Sequence, residues 1–409
     1  MSVSRIALAV LAFSLPVVGA AQDEVEIAQA MDTAVTQLIS SQLGDGLYQY
    51  DVDLRSGQST PPGQLGGMAL VRQSLAAFAL SRYNRRNNDP AVRNSVRMAL
   101  IALSERSLPI SKGSIQTALE HLGLMNRWRL WRSLRVPLQR LGWLYDTEGT
   151  GAIVSADGRY DQTYTGATAF ALATGLLYRA ESGDKAFDDW LQRWAHGLAA
   201  LRVHGRGVRE SAGHLTESHY VNGQSWLALI NYNNVFPDDV AAAGALSGLE
   251  AYIYERYSRY NPGFFHWGNM AAAERVLVSN DLRWLEFLRK SVIQFLSEEP
   301  QRLDSNENKC HLLEGLASYM TAEASQAGQD NSRESMAFTA IRNALPRTLL
   351  LQVDHEIASR IPQPIHTVTT KAWNGAFILS IDTPLARADL TGHCLNTFVY
   401  LQALPGDIR

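Results

Sequence analysis

The sequence predicts an all-α protein, an α/α toroid in which an inner ring of closely packed helices is sheathed by an outer ring. Three observations carry that prediction. Helical periodicity recurs from end to end while strand signals are sparse. The apolar segments are of two kinds, one amphipathic with a wet face, the other rich in Gly, Ala, Ser and Thr and apolar nearly all round. A helix without a wet face has to be surrounded by other helices. The two kinds alternate strictly along the chain, outer then inner.

Taken in order, the N-terminus carries Arg5, thirteen mostly apolar residues from Ile6 to Val18, and small residues before Gln22. This reads as a secretory signal peptide over residues 1–21, its apolar run being too short for a bilayer. A single domain is expected over residues 22–409, located in the periplasm or secreted. No later window is apolar enough to predict a transmembrane segment. The amphipathic segments are 23–42, 90–106, 129–144, 184–202, 237–258, 281–298 and 332–352. The inner ones are "GGMALVRQSLAAFALSRY", "GSIQTALEHLGLM", "YTGATAFALATGLLY", "YVNGQSWLALINY", "HWGNMAAAERVLV", "CHLLEGLASYMTA" and "GHCLNTFVYLQAL". They make six to seven helical hairpins, the segment at 113–127 deciding the number.

An α-solenoid is the competing architecture, but it expects uniform repeats of about 34–47 residues, whereas the loops before the inner segments vary widely. The loops "GLYQYDVDLRSGQSTPPGQLGG" and "DTEGTGAIVSADGRYDQ" hold turn signals around β-like pieces and predict short β-hairpins on one rim. The stretch "MNRWRLWRSLRVPLQRLGWLY" has five arginines and three tryptophans. It reads as an outer helix whose Arg stems cover an apolar stripe, or as a membrane-surface helix, a pattern that Pro137 interrupts. A formal net charge of -3 with interspersed signs excludes a nucleic-acid partner, which needs a basic stripe.

Polar residues gather at the starts of the inner segments. In a toroid all inner helices start at one end, so these side chains converge on one funnel. Arg72, Gln73, Tyr164, Tyr220, Asn222, His266, Trp267, Arg387 and His393 are the candidate substrate-binding residues. Flat Tyr, Trp and His faces with directional Arg, Asn and Gln hydrogen bonds suit a carbohydrate, an acidic one in particular. No cofactor is called for. Glu314, in "LLEGLA", is a carboxylate placed for burial, and burial without a partner is costly. With Asp389 it makes the candidate catalytic pair. Asp389 also has the plain reading of a helix cap paired with Arg387. Cys310 and Cys394 open neighbouring inner helices, each beside a histidine. A disulfide, a zinc site with His311, and two buried thiols all stay open.

The segments "LVRQSLAAFALSRY", "YTGATAFALATGLLYRAESGD", "EGLASY" and "RADLTGHCLNTFVYL" resemble an uncharacterised bacterial family within the six-hairpin glycosidase-like α/α toroids, a group of glycoside hydrolases, polysaccharide lyases and sugar epimerases. Arg72, Gln73, Tyr164, Glu314, Arg387, Asp389 and His393 match that family's polar positions. The chain departs from it at Ala167 and Thr168, where the pattern has a glutamate, and at Gly392, where it has a glutamine. The resemblance implies a carbohydrate-active enzyme. The leading expectation is a glycoside hydrolase using one protonated and one ionised carboxylate. The alternatives are a lyase or epimerase acting on uronates, with Arg72, Asn222, Tyr220 and His266 as its machinery, a zinc enzyme, and a non-catalytic glycan- or peptide-binding protein of the cell envelope.

Overall fold

The computed structural model describes residues 15–61, 64, 66–113, 145–213, 216–326, 336–362 and 364–404. In chain order these form α1 (Leu15–Ser40), β1 (Asp51–Asp53), α2 (Gly67–Asn87), α3 (Pro90–Glu105), β2 (Ser107–Lys112), β3 (Tyr145–Val154), α4 (Thr165–Ser182), α5 (Asp188–Leu201), α6 (His219–Val235), α7 (Val240–Arg256), α8 (Phe265–Ser279), α9 (Leu282–Glu298), α10 (Cys310–Gln326), α11 (Met336–Leu349), α12 (Ile357–Arg360), α13 (Thr367–Ala372), β4 (Leu385–Arg387) and α14 (Ala388–Ala403). Most of the signal-peptide expectation lies outside the described residues, and so do the segments expected as helices at 113–127 and 129–144, apart from Gly113.

The apolar, small-residue helices form a closed ring. α2 packs on α4, α4 on α6, α6 on α8, α8 on α10, α10 on α14, and α14 back on α2. α2 touches α4 directly, and among the described residues the ring has six members. Outside it, α1 lies on α14, α3 on α2 and α4, α5 on α4, α7 on α6, α9 on α8, and α11 on α10. This is the predicted α/α toroid. Among the described residues no helix is long and apolar enough to cross a membrane.

Small residues set the spacing of the inner helices. A Cβ on Gly223 of α6 would sit 2.6 Å from the Trp267 Cβ of α8, so only glycine permits that approach. Gly392 of α14 faces Ala76 and Ala79 of α2 across ordinary van der Waals distance. Aromatic rings fill the middle: Phe78 lies 5.6 Å from Phe170, and Phe170 4.8 Å from Trp267. These rings come from α2, α4 and α8, so they bridge opposite sides of the ring and close its interior.

The helix starts differ between layers. Outer helices α3, α7 and α9 are capped by Asp89, Asp239 and Asp281, whose carboxylates accept backbone N–H groups. Inner helices α2, α4, α6, α8 and α14 have no side-chain cap. Their first N–H groups and the positive ends of their dipoles are left to the rim.

The rim strands occur where turn signals placed them, but not as local hairpins. β1 pairs antiparallel with β4, Asp51 opposite Arg387, joining the loops that lead into α2 and α14. β3, which precedes α4, pairs with β2. A sequence window cannot show pairing between segments so far apart, because the partner is fixed by ring closure.

Candidate functional site

α8, α10 and α14 are consecutive in the ring and begin at the same end. His266 is the second residue of α8, Glu314 the fifth of α10 and His393 the sixth of α14. From those positions they meet. His266 Nε2 donates to Glu314 Oε2 at 2.6 Å, and His393 Nδ1 donates to the same oxygen at 2.8 Å. Glu314 is wholly buried and His266 nearly so, while 13% of the His393 side chain is exposed. His393 is therefore the member that faces the mouth. The Trp267 ring lies 4.1 Å from His266 and 5.6 Å from His393 and forms one wall. His311, half-buried, stands 6.0 Å from His266 and 6.4 Å from His393, ring centre to ring centre.

The electrostatics follow from burial and neighbours. Burial alone pushes the Glu314 carboxyl up, but the imidazoles of His266 and His393, by charge and hydrogen bond, outweigh it and hold the carboxyl at about 2. Glu314 is thus the buried anion of the site. It serves the imidazoles as acceptor and is not itself a proton donor at neutral pH. Burial lowers His266 below the ordinary imidazole value, with Glu314 opposing and His393 adding to the effect. His311 is lowered further, by burial first and then by His266, His393, Arg302 and Lys309.

Asp389 has different company. Arg387 Nε and Nη2 grip its two oxygens at 2.9 Å each, and Arg72 Nε lies 3.5 Å from Oδ2. Arg72 also donates to the Tyr50 hydroxyl. The predicted pair therefore divides: Glu314 sits among imidazoles, Asp389 between guanidiniums. An aspartate at this helix start serves as the anchor of two arginines, so its plain reading as an ion-pair partner is the one that the geometry favours.

The other half of the ring is committed to its own loops. Asn222, predicted to bind substrate, accepts from Val208 N at 2.7 Å and donates to the Tyr257 hydroxyl at 3.0 Å, which ties the loop before α6 in place. Gln73 is buried and donates to the Tyr48 carbonyl. Both side chains are buried and bonded to the loops that precede their helices or to a neighbouring phenol. Tyr164 packs over Gly67 at the start of α2, half-buried. Tyr220 is 46% exposed on the rim of α6.

Cys310 and Cys394 form a disulfide with Cα atoms 4.7 Å apart. A zinc site at Cys310, His311 and Cys394 is thereby ruled out, since neither sulfur is a thiolate. The bridge stands directly behind the cluster: Cys310 is one turn ahead of Glu314, and Cys394 follows His393.

Sequence reasoning placed the three cluster residues in the funnel without pairing them. The signal was available in their depth, since each falls within the first two turns of its helix. Tyr50 was missed, and nothing in its own segment marks it.

A separate cleft of about 590 Å³ lies at the opposite end of the toroid, lined by Asp188, His196, Tyr232 and Asp239 among others. Two of its four acids are engaged: Asp239 caps α7 and accepts from His196 and Tyr232, and Asp188 pairs with Arg179.

Two solved structures are similar to this chain over nearly its whole length. One is an unsaturated glucuronyl hydrolase specific for heparin, with TM-score 0.56 and 11% identity over 93% of this chain and 98% of that one. The other is an inactive variant of an alpha-1,6-mannanase from Salegentibacter sp. in complex with alpha-1,6-mannotetrose, with TM-score 0.57 and 9% identity over 92% of this chain and 99% of that one. This chain has their fold. No protein-family model matches the sequence, and no curated protein is significantly similar to it. At such identity the likeness carries architecture, and the residues must carry the chemistry.

Proposed function

We propose that this chain is a carbohydrate-active enzyme of the periplasm or the cell exterior, a glycoside hydrolase acting on a poly- or oligosaccharide at the uncapped ends of the inner helices. The observation that carries the reading is the pair of imidazoles bonded to one buried carboxylate. Such a cluster moves protons: His393, at the mouth, delivers one to a glycosidic oxygen, and Glu314 stabilises the imidazolium that loads it. Trp267 and His266 wall the site. Asp389 holds Arg72 and Arg387 at the entrance, where guanidiniums and the positive ends of the helix dipoles favour an anionic or hydroxyl-rich substrate. The two structural neighbours, both named as enzymes acting on glycosides, and the disulfide, which forms in oxidising compartments, support the reading.

A second reading, lyase or epimerase action on uronates, is favoured by the same cluster's composition. Its proton-handling groups are imidazoles, suited to taking a proton from a sugar carbon beside a carboxylate that Arg72 and Arg387 would neutralise. A screen of polysaccharides and oligosaccharides with wild type, Glu314→Gln and Asp389→Asn separates these by product mass. Hydrolysis adds water, elimination leaves an unsaturated sugar absorbing in the ultraviolet, and epimerisation changes no mass. Binding without turnover, indifferent to both substitutions, would leave a non-catalytic glycan-binding protein instead.

A further inference from the structure

His266 Nε2, His393 Nδ1 and a Glu314 carboxylate oxygen all lie within 4.8 Å of one another. Two imidazole nitrogens and one carboxylate oxygen are the donor set of open zinc-class sites with three protein ligands. Calcium and magnesium instead take oxygens.

Three further observations point to a cation at this place. Glu314 Oε1 is buried and has no hydrogen-bond partner among the described residues, an arrangement that costs free energy unless something electropositive meets it. The donors stand on three consecutive inner helices, and the Cys310–Cys394 bridge fastens two of those helices beside the donors themselves, so the set is held by rigid elements. The third imidazole, His311, is within one ring's reach of the other two.

We propose that His266, Glu314 and His393 bind one divalent transition-metal ion of the zinc class. The proposal rests on the same cluster as the proposed function but not on its sugar chemistry. A metal on His393 Nδ1 takes the lone pair that must carry a proton for this ring to become an imidazolium, so metal binding and the loaded acid exclude each other, and the ion acts as an inhibitor.

The test is titration of the full chain, stripped with a chelator, with zinc chloride, and with cobalt(II) chloride as a spectroscopic probe. One equivalent is expected, with cobalt ligand-field bands in the visible. Glu314→Gln and His393→Gln are expected to weaken binding on the order of 100-fold, while His355→Ala, at an imidazole 90% exposed, leaves it unchanged. Circular dichroism and thermal melting check that the variants fold. If Glu314→Gln does not, His393→Gln, at the partly exposed donor, carries the test alone. Failure of the wild type to bind one equivalent, or binding indifferent to His393→Gln, overturns the proposal. Once a sugar substrate is known, zinc should suppress turnover and chelator restore it. Turnover that requires the metal would support the site and overturn both the inhibition and the proton-transfer reading. A failed sugar screen would count against the proposed function while leaving the titration fully informative.

Discussion

Replacing both bridging cysteines, Cys310→Ser with Cys394→Ser, tests how much the covalent closure of the ring contributes. The bridge spans 84 residues of sequence and encloses α11, α12, α13 and β4 between α10 and α14. For a loop of that length the chain-entropy relation gives about 15 cal/mol/K, hence about 4.6 kcal/mol at 25 °C lost from the folded state. Unfolding a chain of this size carries an entropy of roughly 0.8 kcal/mol/K, so the melting temperature should fall by about 5–6 °C. Calorimetry of wild type and double variant measures this directly. Both sulfurs are fully buried, so the native protein should also resist dithiothreitol until denaturant opens it. The bridge flanks Glu314 and His393, so the variant should lose turnover by a lower kcat with KM little changed, as expected when a bond between reacting groups loosens. A melting temperature lowered by less than about 1 °C would refute the view that α10 and α14 depend on the bridge for their closure.

Glu314→Gln should reduce turnover by about 100-fold or more, because a neutral amide cannot stabilise an imidazolium; steady-state kinetics reads this. Acid should destabilise the protein in two stages, each a loss as pH falls. His266 and His311 have folded values below 6.5, so the unfolded chain takes up protons that the folded one refuses, and stability declines below about pH 6.5. The contribution of Glu314, about 3 kcal/mol, is fully present above pH 4.5 and disappears as pH falls toward about 2; denaturant midpoints across pH measure both stages. Gly223→Val should cost about 1–3 kcal/mol or prevent folding, because its side chain would collide with the Trp267 Cβ; urea unfolding tests this. Asp389→Asn should raise KM more than it lowers kcat, since it frees Arg72 and Arg387 from their anchor without touching the cluster.

Much of the fold was legible because two simple properties repeat. A wet face on one helix and none on the next specify an outer and an inner layer without any knowledge of contacts, and the small residues at Ala76, Gly223 and Gly392 mark where backbones approach. What was not legible depends on closure. The pairing of β1 with β4 and the packing of α2 against α14 join the two ends of the chain, and no local window contains both partners. The same limit explains the site. His266, Glu314 and His393 each looked functional alone, and their joint bond became visible only when α8, α10 and α14 stood side by side. Asn222 and Gln73 show the same limit: each bonds a loop whose path no sequence window reveals.

The division of the ring into two halves has a physical basis. The loop before α6 folds down onto the ring: Asn222 receives Val208, and Thr165 donates to the Arg209 carbonyl, so the ends of α4 and α6 are covered by backbone. In their first two turns α8, α10 and α14 offer imidazoles, a carboxylate and an indole instead. A carboxylate as buried as Glu314 could not persist in a wholly apolar surround. Its survival there requires both imidazoles, and the imidazoles in turn stay oriented because Glu314 fixes one nitrogen of each and Trp267 flanks both rings. Removing any one member therefore releases the others. A double-mutant cycle on His266 and His393 should show strong non-additivity in both stability and turnover, whereas a cycle pairing either with Arg387 should be close to additive.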